Sequence, residues 1–248
     1  MEIVLDNLLF LLSQRMPRLE SPSATPDAKL ALETAALWRQ YGCGLLLSEL
    51  DEEGFRDGLE QAATLYRDLL VRRNDCPESE HYHLARSKGE PLFDALAVGA
   101  WELARQIAAE MTPAWMKRME SEEDFHYFGA LIGLLLHRDD LDAELAAYER
   151  CLQGGQSFRF DVMKALATAD DGAFEAGLQG MIEEQSAWVA RQQRSGVFDP
   201  YRQKTSAFVF VEGVALVRLA RHRALKTQQW YRLIPAPALD AGVAEARP

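Results

Sequence analysis

The chain has 248 residues, 48% of them hydrophobic and 26% charged, which is enough to bury a full core in one large domain or two small ones. Its formal net charge of −11 works against nucleic acid or an anionic membrane as a partner, because both need basic faces, and it favours a basic protein. Cys43, Cys76 and Cys151 are odd in number, widely spaced and free of any C-x-x-C pair, which fits free thiols in a reducing cytoplasm rather than a disulfide framework.

From the start of the chain, Ile3, Val4, Leu5, Leu8, Leu9 and Leu12 are spaced as the buried stripe of one helix. Glu2 and Asp6 stand where a signal peptide would carry basic residues, and the apolar run is too short to span a bilayer. Pro17, Pro22 and Pro26 with Ser21, Ser23 and Thr25 read as a loop. Thr25-Pro26 then offers a hydroxyl cap and a first-turn proline to a helix that Gly42-Cys43-Gly44 should end. A long helix is expected from Asp51 to Arg73, carrying Phe55, Leu59, Ala62, Leu65, Tyr66 and Leu69 on one face. Asn74 to Gly89 reads as a long polar loop.

Helical patterning resumes at Pro91. Thr112-Pro113 gives a second cap-and-proline start ahead of Trp115, and Ser121 with Asp124 resembles a capping box. Two phrases then echo one another: Leu134 to Leu145 around Asp139-Asp140, and Val162 to Glu175 around Asp170-Asp171. In each an apolar helix end meets paired aspartates, whose carboxylates suit the orphan N–H groups of the next helix. Phe93 to Glu102 is a looser version. A helix from Ala173 to about Arg194 ends at Gly196, and a last one carries Phe208, Val211, Val214, Val217 and Leu219. The expected fold is all-α: stacked antiparallel helical hairpins, a tetratricopeptide- or HEAT-like array in a single globular domain. Residues 1–75 form its N-terminal helical part, 76–230 its hairpin core and 231–248 a loosely ordered tail.

Catalytic signatures are missing. There is no G-x-S-x-G elbow, phosphate loop or H-E-x-x-H helix, and no cofactor is expected. His81-Tyr82-His83 beside Glu80 lacks the spacing of a metal set, and Trp101, Trp115 and Trp188 read as core residues. What stands out is acid gathered where helices meet. One group is Glu49, Asp51, Glu52 and Glu53, a second Glu120, Glu122, Glu123 and Asp124, a third Asp139, Asp140, Asp142 and Glu144, and a fourth Asp170 and Asp171. These serve either as helix caps on a solvated face, or as a negative rim that steers a basic partner if stacked hairpins bring the turns to one side.

The phrase Ala165-Leu166-Ala167-Thr168-Ala169-Asp170-Asp171-Gly172-Ala173-Phe174-Glu175-Ala176-Gly177-Leu178 resembles the immunity protein 49 family of bacterial polymorphic toxin systems. So do Phe93 to Ala109, with Trp101-Glu102-Leu103-Ala104 opening its second helix, and Val211 to Arg221 followed by Leu239. The resemblance spans roughly residues 90–240. It departs from the family at Val98-Gly99-Ala100 and at Arg223-Ala224-Leu225, where the family carries other turn residues. It implies an all-helical, non-enzymatic protein that binds and neutralises a cognate toxin in the cytoplasm, with no fixed catalytic residues to carry over. The acidic charge makes a basic toxin the expected partner, a nuclease first among them. A helical-repeat adaptor for a protein or peptide is the alternative, on the 31-residue spacing between Asp139 and Asp170. An enzyme with an acidic helical site is the third class.

Overall fold

The computed structural model describes residues 1–20, 25–196 and 198–241. Three quarters of those residues are helical and none lies in a strand, as the apolar spacing predicts. α1 (Glu2–Leu19) buries Val4, Leu5, Leu8 and Leu12 against α2 (Ala28–Glu49), but Ile3 and Leu9 face solvent, so the buried stripe is narrower than expected. Pro17 sits inside the last turn of α1 instead of in the following loop. Of that expected loop, Ser21 to Ser23, Pro22 included, lie outside the described residues.

α2 starts later and ends later than its sequence signals. Its cap is Asp27, whose carboxylate accepts the Leu30 N–H at 2.8 Å, a stronger cap than Thr25 could provide. The Gly42-Cys43-Gly44 stretch does not stop the helix, because its glycines are packing positions. A Cβ on Gly42 would lie 2.9 Å from the Phe55 carbonyl oxygen in α3 (Glu52–Val71), and one on Gly58 would lie 2.9 Å from the Gly42 Cα. Two facing glycines let the helix backbones approach, which offsets the roughly 1 kcal/mol that each costs in a helix interior.

Residues 73–89 are not a free loop. They wind through 3-10 turns at Arg73–Asp75, Glu78–Leu84 and Arg86–Lys88, with Leu84, Ala85 and Arg86 buried. Arg86 accounts for the failure of the expected helix start at Thr112-Pro113. Its Nε donates to the Thr112 carbonyl at 2.6 Å, its guanidinium lies over the Phe125 ring, and the Thr112 hydroxyl donates to the Leu84 carbonyl. Held in this way, residues 113–120 run as turns, and Glu120 closes them by accepting the Ser87 and Met116 N–H groups.

Hairpins follow: α4 (Glu90–Ala97) with α5 (Trp101–Glu110), α6 (Glu122–Leu136) with α7 (Leu141–Leu152), and α8 (Phe158–Thr168) with α9 (Asp171–Ser195). The short α10 (Pro200–Lys204) leads to α11 (Val211–His222), so Phe208, expected in the last long helix, lies before it and is exposed. α4 is buried from Pro91 to Ala97 and α11 from Gly213 to Ala220, the all-round burial of helices that lie in a core. α11 packs directly on α4, closing the hairpins on themselves, and one apolar core runs from Ala28 to Ala241. Helices of both parts contribute to this core, while Val4, Leu8 and Leu12 of α1 form a second, smaller cluster with Leu37.

The expected loose tail is a correction. Tyr231, Ile234, Ala238 and Leu239 are buried, and α12 (Ala236–Asp240) packs on α3 and α11. The Arg218 guanidinium donates to the Leu239 and Ala241 carbonyls, tying down backbone that proline-rich composition made look irregular. Residues 242–248 lie outside the described residues. Among the described residues, no helix is long and apolar enough to cross a membrane.

Candidate functional site

Six helices and the start of a seventh converge on a recess of about 310 Å³. α2 offers Arg39 and Gln40 from one face, α4 offers Glu90 and Phe93, and α6 offers Asp124 and Phe128 at i, i+4 spacing. Arg159 comes from α8, Gln185 from α9, Arg202 from α10, and Phe210 and Glu212 from the entry to α11. A wider depression of about 630 Å³ shares Asp124, Arg159, Gln185, Phe210 and Glu212 and adds Trp188 and Arg191.

Two arginines are tied down. Arg39 donates to both oxygens of Asp94, at 2.5 and 2.7 Å, and to Glu90 at 2.6 Å. Asp94 has no exposed surface. Burial pushes its carboxyl up to about 6, although Arg39 works in the opposite direction. Burial also opposes the Arg39 charge, but the Asp94 and Glu90 carboxylates outweigh it and hold the guanidinium above its usual range. Glu90 stands at the mouth of the recess, and Arg39, with Arg202 and Arg159 behind it, keeps its carboxyl below the usual range. Arg159 forks onto Glu212 through two 3.0 Å hydrogen bonds, donates to Asp124 at 3.1 Å and covers the Tyr127 ring. Tyr127 completes this group by donating its hydroxyl to Glu212 at 2.8 Å.

Arg202 differs. Its guanidinium lies 4.5 Å over the Trp188 ring and makes no hydrogen bond or ion pair with any described residue. Burial lowers its pKa from the usual arginine value, with Glu90 acting the other way. Gln40 is only 8% exposed, and its Oε1 has no hydrogen-bond partner.

The acidic groups read from the sequence are divided between structural and free roles. Asp51 caps α3 by accepting the Gly54 N–H, and Asp170 caps α9 by accepting the Ala173 N–H. Asp140 occupies the equivalent place before α7, yet its carboxylate turns to Arg138 and caps nothing. The echoed phrases thus differ in detail, although His137 and Ala169 both end their helices in the left-handed conformation. Ser121 caps α6 as expected, while Asp124 goes to Arg159 instead of completing a capping box. Glu120 holds backbone N–H groups, Glu123 accepts the Ser157 hydroxyl, and Glu144 binds His126 at 2.7 Å. Asp171 accepts the Lys226 N–H.

Glu49, Glu52, Glu53, Asp139 and Asp142 make no hydrogen bond or ion pair with a described residue, and Glu122 lies 4.0 Å from His126. Glu122, Glu123 and Asp124 open the 15-residue α6 and Asp139 and Asp140 follow its far end, about 22 Å away at 1.5 Å per residue, whereas Glu144 of the third group reaches back along α6 to His126, which Glu122 also faces. Trp101, Trp115 and Trp188 are half-buried at the surface, not enclosed in the core. Among the described residues, no three His, Cys, Asp or Glu side chains converge as a metal site.

Sequence reasoning passed over Arg39, Asp94, Arg159, Arg202 and Glu212. One signal was present: Asp94, Glu212 and Arg218 are lone charges inside apolar helical runs, and such positions need partners from elsewhere in the fold. The chain matches no known protein family, no curated protein and no solved structure.

Proposed function

We propose that this chain is a non-catalytic helical binding protein that neutralises a basic protein partner, acting as an immunity protein against a bacterial toxin. The observation that carries the reading is the uneven use of charge. Arg39, Arg86, Arg159 and Arg218 spend their hydrogen bonds inside the fold, whereas Glu49, Glu52, Glu53, Asp139 and Asp142 keep theirs for what lies outside. With a net charge of −11, the outer field is negative and attracts a cationic surface. A nuclease has such a surface because its own substrate is a polyanion, and covering that surface is sufficient for inhibition. The reading starts from the likeness of residues 90–240 to the immunity protein 49 family in helix rhythm and turn residues, a likeness that no family model matches.

The test asks whether a neighbouring gene encodes a protein with a toxin-like C-terminal domain, then co-expresses this chain with that domain, scored for growth, and follows stopped-flow association of the purified pair. Growth should be rescued and a one-to-one complex should form. Association should slow as salt rises, since screening limits the attraction to about 10 Å at 0.1 M. Reversing Glu52 and Glu53 to Lys, and separately Asp139 and Asp142, identifies the end of the molecule that meets the partner, because rim charges act mainly on the association rate. No rescue and no complex would refute the reading. Association that ignores salt and both reversals would refute electrostatic capture.

A further inference from the structure

We propose that this chain associates head to tail with a second copy of itself. The turn around Trp230 of one copy sits on the corner of the next where α1 starts, α2 ends and α3 starts. Glu52 and Glu53 serve both this contact and the toxin-binding reading, but the test below uses this chain alone, so either can fail without the other.

The turn is a basic island in an acidic chain. Residues 213–239 carry five Lys or Arg and no Asp or Glu, although the net charge is −11. Arg218 and Arg223 donate to backbone carbonyls within the fold. Arg221, Lys226 and Arg232 are exposed and form no ion pair with a described residue. The backbone between them is fixed. Asp171 accepts the Lys226 N–H at 2.9 Å, and Glu175 accepts the Gln228 N–H at 3.0 Å and the Tyr231 hydroxyl at 2.6 Å. Arg221 ties the same turn through the Thr227 hydroxyl and the Gln228 carbonyl. Trp230 is nevertheless 72% exposed, next to a buried Tyr231. A rigid turn that holds an indole outward has already lost the freedom that docking costs, and tryptophan is a preferred interface anchor.

The corner has the opposite character. Ile3, Leu50 and Phe10 are 76, 70 and 62% exposed, and with Trp230 they are the four most exposed large hydrophobic side chains among the described residues. Ile3 and Phe10 lie two turns apart on the outer face of α1. Leu50 is close to their first turn, because α1 and α2 run alongside one another with Leu5 packed on Gly44. Burial and the nearby Glu49, Asp51 and Asp6 carboxylates push the Tyr41 phenol up, which places acids from α1 and from the α2–α3 junction around one side chain. The side chains of Glu2, Asp6, Glu49, Glu52 and Glu53 make no hydrogen bond or ion pair with a described residue.

The two surfaces are complementary: an indole among cations, and an apolar patch among acids. Among the described residues, no hydrogen bond or ion pair joins residues 49–53 to residues 221–232 within one chain, so the match is open to a neighbour. A nucleic acid or an anionic membrane would suit the turn but not the acids over the rest of the surface, whereas a second copy brings both an apolar seat and carboxylates. Two chains at −11 also repel, so the contact is weak and concentration-dependent. Because the patches differ, each pair leaves one turn and one corner free, and assembly continues beyond two copies.

The test is sedimentation velocity of the full chain from about 10 μM to 1 mM, where the average mass should rise with concentration and pass that of a dimer, with half of the chain associated near about 0.1 mM. W230A/R232E removes the turn, and I3Q/F10Q/L50N removes the corner. Each should weaken association at least about tenfold with circular dichroism unchanged, since all five side chains are exposed. Asparagine is chosen at Leu50 because it tolerates the left-handed φ of 54° there. Mixed one to one, the two variants should form a heterodimer and stop, because one intact turn meets one intact corner; this also shows that each variant is folded. A monomer up to about 1 mM would overturn the proposal. So would undiminished association of W230A/R232E, or a mixture that gives no heterodimer.

Discussion

Replacing Arg39 with Met tests the buried ion pair, and the result should depend on pH in a definite direction. Two of the three Arg39 hydrogen bonds go to a carboxylate with no exposed surface, whereas the third goes to Glu90, which water can serve instead. The Asp94 carboxyl stands at about 6 beside Arg39, above its ordinary 3.8, so this group favours folding most below pH 4 and loses that contribution as pH rises through 6. In R39M the desolvation and the Glu90 charge remain without the opposing Arg39, and the carboxyl moves higher still. Below pH 6 Asp94 is protonated in both proteins, and the variant loses about 1–2 kcal/mol of hydrogen bonding and packing. Above pH 6 the folded wild type ionises Asp94 while the folded variant keeps it neutral, so the deficit grows by about 1.4 kcal/mol per pH unit. By pH 8 it reaches about 4 kcal/mol, within the range for stripping one partner from a buried pair. Urea unfolding at pH 5, 6, 7 and 8 measures this, with an unchanged m-value confirming that the same transition is compared. The double replacement R39M/D94L should recover most of the loss and flatten the pH dependence. A deficit that stays constant or shrinks between pH 6 and 8 would refute the reasoning.

Gly58→Ala should destabilise by about 1–3 kcal/mol, because its methyl would meet the Gly42 Cα and the Trp38 carbonyl, backbone atoms that move only if α2 and α3 separate; a melting temperature at or above wild type would count against it. Asp170→Ala should cost about 1 kcal/mol by uncapping α9, whereas Asp140→Ala should cost a few tenths at most, since an exposed pair with Arg138 is all that it loses. Equal losses in denaturant titrations of the two variants would mean that the echoed turns are alike after all.

The order of helices was legible in the sequence because a helix is a local object. Apolar residues at helical spacing in Phe55 to Tyr66, the Asp51 and Asp170 caps and the Gly196 stop each act within a few residues of themselves. The misreadings arose where a signal served a distant partner. Gly42 faces another helix instead of ending its own, Thr112 holds Arg86 instead of starting a helix, and the 231–241 segment is pinned by Arg218. The candidate site was hidden for the same reason. Arg39 and Asp94 stand 55 residues apart, and Arg159 and Glu212 53 apart. A lone charge in an apolar run shows that a partner must exist without showing which residue it is. The unpaired Arg202 and Gln40 are harder still to read, because having no partner is a property of the whole surrounding surface. Helices follow from bonds that close within four residues; the recess follows from where α11 docks on α4, and that docking is chosen by the packing of the entire core.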